Sequence, residues 1–179
     1  MADTQQGTAS GNLTKSDDIE LLLADLGAKD YHHRREARRR LVEIGAPAIA
    51  PLFEALDNAD DDLRWEVTKT LGEIGDPATI PGLLKALEDD NFGVRWLATE
   101  GLIQLRRAAL APLFRLLIAH SDELWLRETV HHVLRVLDTR GLHDQVAPVL
   151  KAMSGVEPAV EVPLVSRAAI DALEAQGRA

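Results

Sequence analysis

The sequence repeats itself about every thirty residues, and this periodicity constrains the possible folds more than any other feature. Residues 34–45 and 64–75 share Arg, Glu, Leu, Glu, Ile and Gly in register, at an offset of 30. The Arg-Trp pair at positions 64 and 65 returns at positions 95 and 96, and a looser fourth copy contains Arg127. A unit this short cannot bury its own apolar face, so we expect successive copies to stack on one another.

Each copy contains two helical patterns, called helix A and helix B below. Helix A of the second copy has its apolar residues on one stripe, at positions 63, 67, 71 and 74. Helix B of the first copy also has a single apolar face, at positions 49, 52, 53 and 56. No alternating β-branched run indicates a strand. The pattern therefore predicts repeated helical hairpins.

Characteristic residues mark the predicted helix ends. Gly27, Gly45 and Gly75 follow the last apolar residue of their helices, where a left-handed C-cap favours glycine. A proline is expected near the beginning of each B helix, where a missing N–H costs least; these prolines are Pro51, Pro81, Pro112 and Pro148. Polar clusters at residues 60–62, 89–91 and 121–122 are expected to cap the A helices.

The predicted fold class is all-α: a right-handed α-solenoid (an α-α superhelix) of about four to five helical hairpins. We predict a disordered tail over residues 1–15 and a single repeat domain over residues 16–179. The predicted helix pairs cover about 30–56, 61–87, 91–117 and 122–153, and the predicted end helices cover 17–26 and 165–176. The last helix is expected to be of the A type, after a loop over residues 154–163. In the third copy Arg106 replaces the capping glycine, which predicts a tighter or shifted turn.

The second copy carries a family resemblance. After Arg64 it has Leu-Gly-Glu-Ile-Gly-Asp-Pro-Ala over residues 71–78 and Leu-Leu-Lys-Ala-Leu over residues 83–87. This pattern resembles the HEAT-like repeats of the phycobilisome-lyase type, clearly over residues 17–153 and weakly over residues 165–177. The resemblance implies an α-solenoid, but it does not define an activity, because function depends on sites added to a fold.

Composition excludes several classes of protein. The 179 residues include no cysteine, which excludes a disulfide scaffold and thiolate metal sites. The formal charge of −9 argues against general binding to nucleic acid or to anionic membranes. No apolar run reaches the roughly 18–20 residues of a transmembrane helix, and residues 1–15 show no export signal. We therefore expect a cytoplasmic protein.

An arginine recurs at one position near the start of every A helix. The four copies are Arg34, Arg64, Arg95 and Arg127. A residue present in each repeat suits stacking better than a unique site. We expect each guanidinium to bond the turn before its helix or the carbonyl end of a neighbouring B helix.

Two tryptophans directly follow two of these arginines. Trp65 lies roughly 200° from the apolar stripe of its helix, and Trp96 is its counterpart in the next copy. Packing between neighbouring A helices is the favoured interpretation. Binding of a partner, for which tryptophan is often used, is the alternative. Trp125 precedes Arg127 and is out of register with this pair.

Five arginines lie within residues 34–40, in a chain that is otherwise acidic. Because Ala37 and Leu41 occupy the core face, we expect Arg35, Arg38 and Arg39 to project outward together. Two interpretations stay open at this point. The three side chains form a docking patch for an acidic partner, or they form a solvated face neutralised by neighbouring glutamates.

Charged residues also recur on one face of the B helices. Glu54, Lys85, Arg115 and Lys151 share a wheel angle and predict a mixed-charge strip on the concave surface, suited to a protein or peptide. Glu128 and His131 have metal-ligand spacing, as do His32 and Glu36, but each motif is isolated. We therefore assign no catalytic residue, metal or cofactor.

The sequence thus predicts a non-catalytic scaffold that binds another protein or a peptide. Its candidate binding residues are the B-helix strip, the outward arginines, Trp65 and Trp96. The family resemblance implies an alternative: an accessory factor for a bilin or another cofactor, similar to HEAT-like bilin lyases or phycobilisome-degradation proteins. A third possibility is nucleic-acid binding, as in some HEAT-like DNA glycosylases, and the acidic charge argues against it.

Overall fold

The computed structural model describes residues 15–58 and 60–177, which form helices joined by short turns and contain no β-strand. The predicted tail lies outside this described part except for Lys15, which begins the first helix. The α-helices of the described residues are α1 Lys15–Leu26, α2 Tyr31–Ile44, α3 Ala46–Ala55, α4 Asp61–Ile74, α5 Ile80–Ala86, α6 Phe92–Gln104, α7 Arg107–Ala119, α8 Leu124–Leu137, α9 His143–Met153 and α10 Pro158–Gly177. A 3₁₀ turn, Pro77–Thr79, precedes α5, and a π-type turn, Asp138–Leu142, joins α8 to α9.

The helices form two layers. The A helices α2, α4, α6 and α8 pack side by side in chain order. The B helices lie behind them, and α3, α5 and α7 each pack against the A helix that follows. Helix α1 packs against α2 and α3. Contacts between successive repeats are those of an α-solenoid, as the sequence predicts.

The predicted apolar stripes form the core. In α4, Val67 and Leu71 are fully buried, as is Leu52 in α3. Burial of each such side chain contributes about 1.5–3 kcal/mol to folding. Leu63 and Ile74, at the two ends of the α4 stripe, are half-buried against the same core.

Polar side chains cap the first three A helices. The carboxylate of Asp30 accepts hydrogen bonds from the N–H groups at the start of α2, and Asp60 does the same for α4. Asn91 caps α6, with its side-chain oxygen 2.8 Å from the nitrogen of Gly93. The predicted fourth cap is wrong, because Glu123 occupies the N-cap of α8 and its side chain makes no capping bond.

The prolines of the B helices lie deeper than predicted. Pro51, Pro112 and Pro148 are each the sixth residue of their helix, in the second turn, and only Pro81 stands in the first turn of its helix. A proline in the second turn removes one backbone hydrogen bond. The prediction that these residues stand where the N–H is free is therefore wrong at three of four positions.

The turn after α6 matches the turn after α2. Gly45 has φ 68° and ψ −129°, and Arg106 has φ 51° and ψ −123°. The predicted tighter or shifted turn is therefore wrong, because Arg106 adopts the same backbone conformation at a steric cost that glycine avoids. Gly75 also has a positive φ, as its predicted C-cap role requires, whereas Gly27 does not.

Small residues set the spacing of the A helices. Gly72 of α4 faces Gly101 of α6, where a Cβ atom on Gly101 would lie 3.2 Å from the Cα atom of Gly72. The equivalent positions of the next pair hold Ile103 of α6 and Val133 of α8, both buried. Because side-chain size at the contact sets the distance between helices, α8 packs less extensively on α6 than α4 does.

The last helix differs from its prediction in length and in position. Helix α10 begins at Pro158, so the loop predicted up to residue 163 ends earlier. It packs mainly against the B helices α7 and α9, whereas an A-type helix would extend the layer of α8. Its buried residues Val162, Ser166 and Ile170 are spaced four apart and form the face that makes this contact possible. No helix in the described part is long and apolar enough to cross a bilayer.

Candidate interaction surfaces

The recurring arginines form the structural ladder that the sequence predicts. In every repeat the Nη1 atom donates to the backbone carbonyl six residues earlier, at the end of the preceding turn. The four acceptors are Ala28, Asn58, Asp89 and Ser121. Each bond ties the end of one hairpin to the A helix of the next. These arginines are therefore accounted for by stacking.

Arg64 makes the most extensive contacts of the ladder. Its Nε atom lies 2.7 Å from Asp89 Oδ2 and its Nη2 atom lies 3.0 Å from Asp89 Oδ1, a two-pronged pair between successive repeats. Burial raises the pKa of Asp89, but the bonds from Arg64 and from the N–H of Asn91 outweigh it and leave that pKa below its ordinary value. The pair is therefore charged at neutral pH.

The predicted arginine patch is wrong at one of its three residues. Arg38 is only 8% exposed, because its guanidinium turns toward α4 and pairs with Glu66 at 2.5 Å and with Glu73 at 3.3 Å. Arg39 is exposed, but it pairs with Glu36 and Glu43 on its own helix. Arg35 is exposed as predicted. The three arginines therefore do not project outward together.

The four residues of the predicted B-helix strip are all exposed. Two of them are engaged in contacts within the chain. Lys85 pairs with Asp57 at 2.5 Å, and Arg115 pairs with Glu174 of α10 at 3.1 Å. Glu54 and Lys151 form no ion pair within the part of the chain that the structure describes. The strip is thus most open at its two ends.

Trp65 is used in packing. Its indole lies against Gly93 at the start of α6, where a Cβ atom would be 3.1 Å from Trp65 Cδ1. The Nζ atom of Lys69, one turn along α4, lies 4.8 Å from the centroid of the indole. Trp65 is therefore half-buried between two A helices, in line with the favoured interpretation.

Trp96 has different surroundings from Trp65. It is 47% exposed and stacks on Phe92 with ring centroids 6.4 Å apart, and its centroid lies 5.9 Å from that of His132 on α8. The three rings and Trp125 line a cleft of about 580 Å³ between α6 and α8. We call this the aromatic cleft; its other lining residues are Glu88, Asp89, Arg95, Thr99, Glu128 and Thr129.

Sequence analysis missed Phe92 and Trp125 as members of this site. For Trp125 the sequence carried a signal. Trp125 stands two residues before its ladder arginine, as Gly93 stands two residues before Arg95. Comparison of these equivalent positions identifies the cleft, whereas comparison of tryptophans alone does not.

The two candidate metal motifs do not come together. Glu128 and His131 lie on α8, while His32 and Glu36 lie on α2. Among the described residues, no three side chains of His, Asp or Glu are placed to hold one ion.

Comparison with protein families places HEAT repeats at residues 19–103. A phycobilisome maturation protein of Synechococcus elongatus is 36% identical to this chain over 77 residues. That match covers 42% of this chain and 37% of the relative, so the matched segment spans little more than a third of the relative's length.

Solved structures with similar architecture include the complex of CpcE and CpcF of phycocyanin lyase from a Nostoc species. That match has 22% identity and a TM-score of 0.48, and it covers 97% of this chain and 70% of that chain. A designed armadillo repeat protein matches with 20% identity and a TM-score of 0.39, over 87% of this chain and 99% of that chain.

Proposed function

Because the chain is a HEAT-like repeat protein, we propose that it acts as a non-catalytic scaffold that binds another protein through the exposed face of its B helices. One observation supports this function most directly. Charged side chains stand at equivalent positions of four B helices, and all four are exposed. Arg115 and Lys151 lie on the two helices against which α10 packs, and Arg115 pairs with Glu174 of α10. The four side chains therefore give a polar surface that continues beside α10, whereas a small molecule is usually held in a concave pocket.

The ends of the strip are its most available parts. Glu54 on α3 and Lys151 on α9 have opposite charges and no ion-pair partner in residues 15–58 and 60–177. A partner that carries complementary charges at this spacing gains orientation and association rate from both ends. Arg35 and Arg39 on α2 provide a second, smaller exposed region.

The experiment is a binding assay with charge-reversal variants. A partner is first identified by co-purification and cross-linking, and its affinity for the purified protein is then measured by calorimetry. We expect a Glu54→Lys/Lys151→Glu double variant to bind at least about tenfold more weakly, the loss of about 1.4 kcal/mol.

Lys29→Glu is the matched control, because Lys29 is also exposed but lies in the turn between α1 and α2. It should leave the affinity unchanged. Equal affinity of the wild type and the strip variant would contradict the proposed surface.

A second candidate function is that of an accessory factor in the maturation of a bilin-carrying protein. The identity of 36% with the phycobilisome maturation protein favours it. In this role the scaffold holds a client protein while a chromophore is attached or removed. Co-expression with bilin synthesis and a purified client tests it: client absorbance should depend on this chain. Identical absorbance with and without the chain contradicts the role.

A further inference from the structure

The aromatic cleft opens because one repeat junction differs from the next. Between α4 and α6, Trp65 packs directly on Gly93. Between α6 and α8, the same two positions hold Trp96 and Trp125. Two indoles cannot occupy the space of one indole and a glycine, so the helices separate and both rings line the gap.

The rings of the cleft keep a large exposed area. Phe92 is 69% exposed, Trp96 is 47% exposed and Trp125 is 42% exposed. At the closed junction, Lys69 covers Trp65 from one turn along α4. The equivalent residue one turn after Trp96 is Glu100. The chain therefore supplies its own cation to the first indole, whereas the corresponding position beside the second carries a carboxylate.

The charges that line the cleft are unbalanced toward negative. Asp89 is held by Arg64, but Glu88 and Glu128 are exposed and form no ion pair in the part of the chain that the structure describes. Arg95 is the one arginine or lysine of the lining, so its positive charge offsets one of the two exposed carboxylates, and its guanidinium is held in place by the backbone. Its Nη1 atom donates to the carbonyls of Asp89 and Asp90, at 2.7 and 2.8 Å.

His120, at the end of α7, is influenced by one carboxylate of the cleft lining. A hydrogen bond to Glu123 raises the pKa of His120 above its ordinary value, and the charges of Glu88 and Asp122 raise it further. Of these carboxylates, Glu88 lines the cleft, and its charge favours a cation near it.

Organic cations are recognised by exposed aromatic rings that lie beside carboxylates without an ion-pair partner. A cation within about 6 Å of an aromatic centroid is attracted to the ring face. Arg95 shows this geometry within the cleft, with its guanidinium carbon 5.7 Å from the Phe92 centroid. The volume of about 580 Å³ exceeds that of one guanidinium and fits a side chain with its flanking backbone.

We propose that the aromatic cleft binds an arginine or lysine side chain presented by a basic segment of a partner protein. Trp96 and Trp125 contact the cation through their ring faces, and Glu88 and Glu128 neutralise it. This site lies between A helices, so it is separate from the B-helix strip and does not depend on the strip being a binding surface.

The test uses a synthetic peptide as the probe, acetyl-Gly-Ser-Arg-Ser-Gly-amide. Its binding to the whole protein is followed through the indole N–H resonances of the three tryptophans. We expect the resonances of Trp96 and Trp125 to move and that of Trp65 to stay. The same peptide with citrulline, which keeps the shape but not the charge, should bind at least about threefold more weakly.

Matched variants locate the site. Phe92→Ala removes the ring on which Trp96 stacks, so it should weaken peptide binding about two- to fivefold, the range of one exposed cation–π contact. Tyr31→Ala is its control: Tyr31 is 55% exposed, stands three residues before Arg34 as Phe92 stands before Arg95, and lies 6.0 Å from that guanidinium. Glu128→Gln should also weaken binding, and it removes only a charge.

Three results would each overturn the proposal: equal binding of the citrulline peptide, equal losses for Tyr31→Ala and Phe92→Ala, or a peptide response at Trp65 alone. None of these results would affect the B-helix strip, whose test uses a different partner and different variants. Conversely, loss of partner binding in the strip variant with an unchanged peptide response leaves the cleft in place.

Discussion

Replacement of Arg64 by alanine tests the ladder quantitatively. The substitution removes the pair with Asp89 and the bond to the carbonyl of Asn58. Loss of one partner of a buried ion pair costs about 3–5 kcal/mol. Both side chains of this pair are 10% exposed, so water reaches the edge of the pair and we expect a loss of about 3 kcal/mol. Arg39 is the control, because its side chain is 56% exposed and water screens its ion pairs, so Arg39→Ala should cost much less than Arg64→Ala.

Urea unfolding followed by circular dichroism measures the difference. The midpoint of Arg64→Ala should fall by about 1–2 M urea and that of Arg39→Ala by much less. The effect also depends on pH. Because the folded-state pKa of Asp89 lies below its ordinary value of 3.8, the stabilisation is complete above that value and is lost as the pH falls through the folded pKa. Equal midpoints for the two variants would refute the ladder.

Three further predictions concern stability. Leu71→Ala should cost about 2–5 kcal/mol by opening a cavity in the core; an unchanged denaturation midpoint would show that Leu71 is not buried. Arg106→Gly relieves the strain of φ 51° but loses the bond from its Nη2 atom to the carbonyl of Arg140, so stability should rise by less than about 1 kcal/mol; a lower melting temperature would contradict this. The pKa of His120 is raised above its ordinary value of 6.5, so the protonated side chain stabilises the fold at pH values below 6.5. This stabilisation is lost as the pH rises through the folded-state pKa. His120→Gln should therefore lose more stability at pH 5.5 than at pH 8, and equal losses at the two pH values would exclude the Glu123 contact.

The fold could be predicted from the sequence because its information is local and repeated. Leu71 recurs at one position of successive copies, which identifies the buried stripe before any contact is known. The ladder position of Arg64 is visible in the same way. Recurrence converts a single residue into a pattern, and a pattern predicts burial or stacking without knowledge of the partner atoms.

The sites were harder to predict because they depend on partners that are distant in the sequence. Arg38 is buried by Glu66, 28 residues away, and no helical wheel of α2 contains that carboxylate. The predicted position of α10 is wrong because its sequence matches the A helices only weakly. Its buried face packs against the B helices instead.

The prediction for the turn at Arg106 is wrong because residues other than glycine can also adopt a positive φ. Glycine is preferred at positive φ but is not obligatory, so replacement of the glycine did not predict a change of conformation. The aromatic cleft was missed for a related reason. The cleft exists because Trp125 of the fourth copy occupies the position that Gly93 holds in the third copy. This difference is visible only when the repeats are aligned by their recurring arginines.

One junction of the stack is closed around Trp65, and the next is open at the aromatic cleft. The chain has three tryptophans, which permits a direct measurement: acrylamide quenching of three variants, each retaining one tryptophan and carrying phenylalanine at the other two positions. We expect weak quenching and blue-shifted emission for Trp65, and strong quenching for Trp96 and for Trp125. Equal quenching at all three positions, or protection of Trp96 to the level of Trp65, would contradict an open cleft between α6 and α8.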